Sequence, residues 1–278
     1  MKKLVLAILF LVTLISLVAC APENETTSRP TPAPPRVDGL FDADGNRLAS
    51  WDALVNEYGF DMKNEDDKES SQLAQIIERN EEALGTAVKL VVGDGVTSIG
   101  KSAFSGCKNL VSVDLPQSVK TIDDFAFSLC TSLENVNIPN RLTSIGEAAF
   151  EQCKISSVIL PESVTSIGDA AFSACSELTT VGIPDGVTSI GYSVFSSCFN
   201  LTSIELPTSV MTLGVAAFSN CPMLDTVVLR SPMVLPCDLS TFEDCPQISS
   251  ICVPAELVES YKTASVWSDY ANIIKPIQ

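Results

Sequence analysis

The chain contains no histidine, has only 17 lysines and arginines against 34 aspartates and glutamates, and carries aromatic residues at just 6%. Each shortage closes off a class of function. Without histidine, Ser-His-Asp and Cys-His catalysis are excluded, as is any metal site with an imidazole ligand. A net charge of −17 disfavours nucleic acid and bare anionic membrane, because their phosphates repel an acidic surface. Long apolar runs are scarce too. Outside Leu4–Val18, no stretch is long and apolar enough to span a bilayer. Apolar residues nonetheless make up 46% of the chain, enough for a continuous core.

What is present is a repeat. Related phrases begin at Val96, Val119, Leu142, Val164, Val187 and Val210, the clearest reading VTSIGKSAFSGC, LTSIGEAAFEQC, VTSIGDAAFSAC and VTSIGYSVFSSC. Phe104, Phe127, Phe150, Phe172, Phe195, Phe218 and Phe242 follow one another at spacings of 22 to 24 residues. Each is trailed three residues later by a cysteine: Cys107, Cys130, Cys153, Cys175, Cys198, Cys221 and Cys245. A fixed period in this range means a solenoid, in which no single repeat can bury its own apolar face. Within a repeat, Cys107, Leu110, Val113, Leu115 and Pro116 define the leucine-rich-repeat pattern, whose alternation makes a short strand with one face inward. Proline after each strand turns the chain out of the sheet. The return arm carries Ile99, Ile122, Ile145, Ile167, Ile190 or Leu213 and then Ala-Phe, which reads as a short helical or 3₁₀ turn with the phenylalanine inward. The expected fold is an α/β repeat solenoid, a leucine-rich-repeat horseshoe of about eight coils. At about 4.8 Å per strand step the stack is roughly 35–40 Å long.

These repeats resemble the BspA-type leucine-rich repeats of bacterial surface proteins, densely over residues 88–253. The tail Ala255–Ile277 resembles that family's terminal cap, although Cys252 stands where an aromatic residue is usual. The resemblance implies a surface-exposed, non-enzymatic protein associated with adhesion to host proteins or other cells.

The amino terminus points the same way. Lys2 and Lys3, the apolar run Leu4–Val18 and the ending Leu17-Val18-Ala19-Cys20 describe a lipoprotein signal over residues 1–20, with Cys20 as the acylated residue. Two or three acyl chains would anchor the protein stably. Residues 21–36, with five prolines and almost nothing apolar, form a semi-extended tether. Residues 37–85 read as a small hairpin-helix module that caps the first coil. Its strands lie around Gly39–Phe41 and Arg47–Ala49 with a turn at Asp44-Gly45, and its helices lie near Trp51–Tyr58, after an N-cap at Ser50, and about Ser71–Leu84. The solenoid occupies 86–253 and the carboxyl cap 254–278.

Two motifs are better explained by the repeat than by chemistry. Gly95–Ser102, GVTSIGKS, satisfies the phosphate-loop pattern. Its equivalent at Gly186–Ser193 is GVTSIGYS, with Tyr192 where Lys101 stands, and Ile99 belongs to the core column. No nucleotide is expected. Asp42-x-Asp44-Gly45-Asn46 begins like a calcium loop, but its glycine falls at position 4 and no glutamate at position 12, so a hairpin turn is the better reading. No cofactor and no metal are expected.

Ten cysteines in a secreted chain ordinarily suggest disulfides. Here the column of cysteines stacks one coil apart with parallel Cβ vectors, which suits buried reduced thiols better than a bridge. Cys237 and Cys252, outside the column, are candidates to pair with each other. The outward strand positions, among them Asp114, Asn137, Ile159 and Glu205, form the candidate binding face, and Tyr192 and Phe199 stand out as exposed aromatics. The expected function is a surface-anchored, non-enzymatic protein that binds a protein or glycan on a host or neighbouring cell. A spacer without a ligand is the alternative, and a solute-binding lipoprotein the weaker one.

Overall fold

Every coil is assembled from the same three pieces, each fixed by a short stretch of sequence. The structure, a computed structural model, describes residues 38–50, 54 and 86–278. The leader with Cys20, the tether and most of the two expected amino-terminal helices lie outside the described residues. Arg36–Gln278 form one compact unit, a β-solenoid of about eight coils.

The chain opens with strands β1 (Gly39–Phe41) and β2 (Arg47–Ala49), paired antiparallel as the expected hairpin. β1 also runs antiparallel to β3 (Lys89–Val91), the strand of the first coil. The hairpin is therefore continuous with the solenoid's sheet, and it covers the first edge with Leu40, which is fully buried. Leu54 is helical and also fully buried.

The first piece of each coil is the strand whose alternation was legible in sequence. After β3 and the two-residue β4 (Ser98–Ile99) come β5 (Ser112–Asp114), β6 (Thr121–Ile122), β7 (Asn135–Asn137) and β8 (Ser144–Ile145). β9 (Ser157–Ile159), β10 (Ser166–Ile167), β11 (Thr180–Gly182), β12 (Ser189–Ile190), β13 (Ser203–Leu206) and β14 (Thr212–Leu213) continue the alternation, and β15 (Thr226–Leu229) and β16 (Ser250–Val253) follow. The longer strands pair in parallel, with Val113 level with Val136, Val158 with Val181 and Ile204 with Val227. The ladder is interrupted between β7 and β9. The coil there is one residue short, since Ile155 follows Cys153 by two positions where Leu133 follows Cys130 by three. The Lys154 amide bonds back to Leu133 instead of extending the strand register.

The second piece is the corner after the strand. The carbonyls of Pro116, Pro139, Pro161, Pro184 and Pro207 each accept the amide three residues on, closing a turn. The serine hydroxyls of Ser118, Ser163 and Ser209 donate to carbonyls of the preceding coil, at 2.6–2.7 Å to Val96, Leu142 and Val187. The two-residue strands follow, with their isoleucines inward. Then comes a glycine where coils nearly touch: a Cβ on Gly214 would lie 2.3 Å from the Gly191 carbonyl carbon.

The third piece differs from expectation. The arm around each phenylalanine is a run of turns rather than a helical or 3₁₀ segment. Amides of Ala170, Phe172 and Ala174 donate to carbonyls of Tyr192, Val194 and Ser196 in the next coil, while those of Ala171, Ser173 and Cys175 close local turns. Directing alternate amides along the stack requires left-handed backbone two residues either side of each phenylalanine from Phe104 to Phe218, as at Ala170 (φ 54°) and Ala174 (φ 55°). Left-handed backbone costs about 1–2 kcal/mol at a non-glycine residue. Hydrogen bonds to the next coil offset that cost, and small residues at most of these sites limit it.

The phenylalanines stack in one column, with ring centroids 5.2–5.8 Å apart from Phe104 to Phe218 and on to Phe242. At the carboxyl end a 3₁₀ turn (Ala255–Leu257), helix α1 (Val258–Thr263) and a second 3₁₀ turn (Trp267–Ile273) lead into β17 (Ile274–Pro276). β17 pairs parallel to β16. Trp267 packs tilted by 56° on Phe242 and donates its Nε1–H to the Leu235 carbonyl at 2.7 Å. The Tyr261 hydroxyl accepts the Leu235 amide and donates to Met233. The last coil is thereby closed.

Candidate binding surface

Because side chains alternate along a strand, the third residue of each long strand from β5 to β16 points away from the core. Parallel register lines these residues up across coils: Asp114 beside Asn137, Ile159 beside Gly182, and Glu205, Val228, Cys252 and Lys275 in succession. The face expected from sequence is thus a real column, but its members differ in what they offer. Asn137 is turned back on the scaffold. Its Oδ1 accepts the Leu115 amide at 2.5 Å and its Nδ2 donates to the Leu115 carbonyl at 2.8 Å. Ile159 has no such partner and is 78% exposed, the most exposed large apolar side chain among the described residues.

Beside Ile159 the column has no side chain at all. Gly182 leaves a notch in which the nearest atoms to an added Cβ belong to Ile159, its Cγ2 at 3.4 Å and its Cα at 3.6 Å. On the far side Glu205 accepts a hydrogen bond from Arg230 Nε in an ion pair open to solvent. An open cleft of about 490 Å³ runs from Gly182 to this pair, lined by Gly182, Ile183, Asp185, Glu205, Thr208 and Arg230 among others, with Ile159 standing beside Gly182 outside it. An apolar wall, a backbone floor and a charged rim suit a protruding side chain with a polar end. Sequence reasoning missed Arg230, which lies just past β15 and meets Glu205 only because the coils stack.

The phenylalanine and cysteine columns lie inside. Phe104, Phe127, Phe150, Phe172, Phe195 and Phe218 are fully buried. Each thiol below the first donates to the phenylalanine carbonyl of the coil before: Cys130 to Phe104 at 3.0 Å, Cys153 to Phe127 at 3.3 Å and Cys175 to Phe150 at 3.1 Å, with Cys198 and Cys221 alike. Burial pushes the Cys130, Cys153 and Cys198 thiols well above their ordinary pKa and Cys175 to about 12. Cys221 rises through contact with the Cys245 thiol together with burial. All nine described cysteines are free. Cys237 and Cys252 do not pair: the Cys237 thiol lies on the Asp238 carbonyl and Cys252 against Ser250.

The two motif matches are absorbed by the scaffold. Ser102 and Phe104 spend their amides on Asp124 and Ala126 of the next coil, so the loop after Gly95 has a fixed path along the stack. Lys101 borders a groove shared with Asp123, Asp124 and Glu147, the wrong sign for phosphate. Asp42 closes its own turn by accepting from the Asp44 and Asn46 amides and from Asn46 Nδ2, and the bonds from Asn46 hold its carboxyl below the usual range. Among the described residues, no group of three or more cysteines and carboxylates is placed to hold a metal.

A stack of short parallel strands, closed at both ends and presenting a side-chain ladder to solvent, defines a leucine-rich-repeat protein. The particular family follows from the repeats. Six copies of the BspA type leucine rich repeat region match residues 86–154 and 143–265, and the chain belongs to that family. No curated protein matches the chain. Similar solved structures include a leucine-rich repeat protein from Bacteroides ovatus, at 24% identity and a TM-score of 0.38 over 60% of this chain and 66% of that one. The chain therefore spans just under two thirds of that relative. Another is the leucine rich repeat protein of T. pallidum, at 32% identity and 0.40, covering 49% and 78%. A leucine rich cell surface protein from Faecalibacterium prausnitzii matches at 18% and 0.32, covering 69% and 77%. Among the described residues, no helix is long and apolar enough to cross a membrane.

Proposed function

We propose that this is a non-enzymatic binding protein, anchored to the outer face of a membrane by acylated Cys20 and engaged in adhesion through its strand face. The observation that carries the binding reading is the notch at Gly182 between exposed Ile159 and the Glu205–Arg230 pair. An exposed isoleucine beside a position without a side chain offers a partner apolar contact next to open backbone. The partner is a protein or glycan on a host or neighbouring cell that offers one protruding side chain to the notch. Nucleotide and nucleic acid are disfavoured by the engaged loop amides and by the net charge of −17.

The test fills the notch without touching the core. In Gly182→Gln the added Cβ sits at ordinary van der Waals distance from Ile159, so the melting temperature should stay at the wild-type value while attachment to target cells is lost. Ile159→Lys should act alike. Attachment by both variants at wild-type strength would remove the strand face from consideration and leave the spacer reading. Anchoring is tested separately: Cys20→Ala should abolish fatty-acid labelling and release the chain from the membrane fraction.

A further inference from the structure

Among the described residues, five of the eight exposed large apolar side chains gather on the two corners that flank the turn arm, in its last three coils. Number the coils one to seven by their phenylalanines, Phe104 to Phe242. The first corner lies three residues before each phenylalanine. In coils two to four it carries Asp124, Glu147 and Asp169, and in coils five to seven Tyr192, Val215 and Leu239, which are 56%, 50% and 71% exposed. The second corner follows each cysteine. It carries Thr131, Lys154 and Ser176 in coils two to four, then Phe199 and the adjoining Pro222-Met223, with Phe199 44% and Met223 52% exposed. Both corners thus change from polar to apolar at the same coil.

That coincidence identifies the occupant. The geometry points to a second copy of this chain, set beside the first by translation, so that the first corner of one copy meets the second corner of the next. Translation keeps the coils level. Tyr192 then meets Phe199 and Val215 meets Met223, while Glu147 meets Lys154; Asp124 and Asp169, whose Oδ1 atoms accept the Glu147 and Tyr192 amides of the next coil, turn their second carboxylate oxygens to the hydroxyls of Thr131 and Ser176. A reversed neighbour would instead set Tyr192, Val215 and Leu239 against polar residues. The period agrees as well: phenylalanines stack at 5.2–5.8 Å, a spacing that another ladder of the same chain reproduces over its full length, whereas an extended peptide advances about 6.6 Å per same-side residue. Lys101 and Lys108 oppose each other in coil one, which confines the contact to the later coils. The contact is heterologous, so it propagates into rows rather than closing as a dimer. At physiological salt a screening length of about 8 Å limits repulsion between the acidic bodies. The inference is independent of the strand-face reading, since none of these residues lies on that face.

The experiment uses the full chain in a mild non-ionic detergent, with protein mass measured by multi-angle light scattering across a concentration series. Wild type should grow in mass with concentration, past the dimer. A first-corner variant (Tyr192→Asp with Leu239→Asp) and a second-corner variant (Phe199→Asp with Met223→Asp) should each stay monomeric alone. An equimolar mixture of the two retains one intact pair of corners and should reach the dimer and stop there. All four side chains are exposed, and the corresponding serine substitutions serve as a second set should aspartate disturb folding. Wild type that remains monomeric throughout, a mixture that stays monomeric, or single-corner variants that associate like wild type would each overturn the inference.

Discussion

The middle of the stack and its carboxyl-terminal cap bury aromatic rings in opposite ways. Between Phe127 and Phe195 the rings lie 7–8° from parallel, each coil repeating the one before. At the cap Trp267 tilts by 56° against Phe242, and Tyr261 meets Trp267 edge-on at 80°. A repeat can always offer its successor the same surface, so parallel stacking propagates without limit. Ending it requires a side chain that covers the last ring while satisfying the polar groups the next coil would have bonded. Trp267 and Tyr261 do this with their Nε1–H and hydroxyl, which engage Leu235 and Met233. Propagation is thus achieved by sameness and termination by broken symmetry, and the two regions should fail differently.

The largest difference should come from alkaline pH. Burial holds Cys175 near a pKa of about 12 against 9.0 for an ordinary thiol, and shifts Cys130, Cys153 and Cys198 in the same direction. With the folded pKa above the unfolded one, only the unfolded chain ionises above pH 9, so stability is intact below that value and falls as pH rises toward 12. For Cys175 the loss is on the order of 1 kcal/mol one unit above 9.0, and several thiols act together. Denaturant midpoints measured from pH 7 to 11 under argon should drop steeply above 9, with the cap's tryptophan signal following the stack. A flat profile would mean the thiols are not buried as described.

Phe172→Ala comes next, at about 3–5 kcal/mol. Because coils contact mainly their neighbours, hydrogen-exchange protection should fall most between residues 142 and 198 and less at the cap. Even loss along the chain would argue against nearest-neighbour coupling. Trp267→Phe should cost about 1–3 kcal/mol, chiefly by leaving the Leu235 carbonyl without its donor. Here exchange should rise in the last two coils while the Phe127–Phe172 region stays protected; equal loss in both regions would erase the distinction between cap and stack. Smallest is Cys175→Ala, at about 1 kcal/mol in the chemical denaturation midpoint, since Phe150's carbonyl keeps the Cys153 amide at 3.2 Å. A loss as large as that of Phe172→Ala would show that the thiol column matters more than its second hydrogen bond implies.

The legible part of the binding surface was its column. Alternation in strands such as Ser157–Ile159 says which residues face outward, and the constant period says that they align. The use made of each position was not legible. Asn137 and Ile159 occupy the same column, yet one clasps Leu115 from 22 residues away and the other stands open. Nothing near either residue in sequence distinguishes them, because the deciding partner belongs to another coil.

Local pattern and period suffice to set the apolar columns of isoleucine, phenylalanine and cysteine, the turn after each proline, and the Asp44-Gly45 hairpin. Tertiary structure alone decided what depends on neighbouring coils. The arm reads as a helical turn in isolation, since Ala and Phe tolerate helix. Only when the next coil offers carbonyls to Ala170, Phe172 and Ala174 does left-handed backbone become the lower-energy choice. The same holds for the Glu205–Arg230 pair and for Trp267 over Phe242: short-range propensities are carried by a few adjacent residues, whereas these contacts exist only after the coils have stacked.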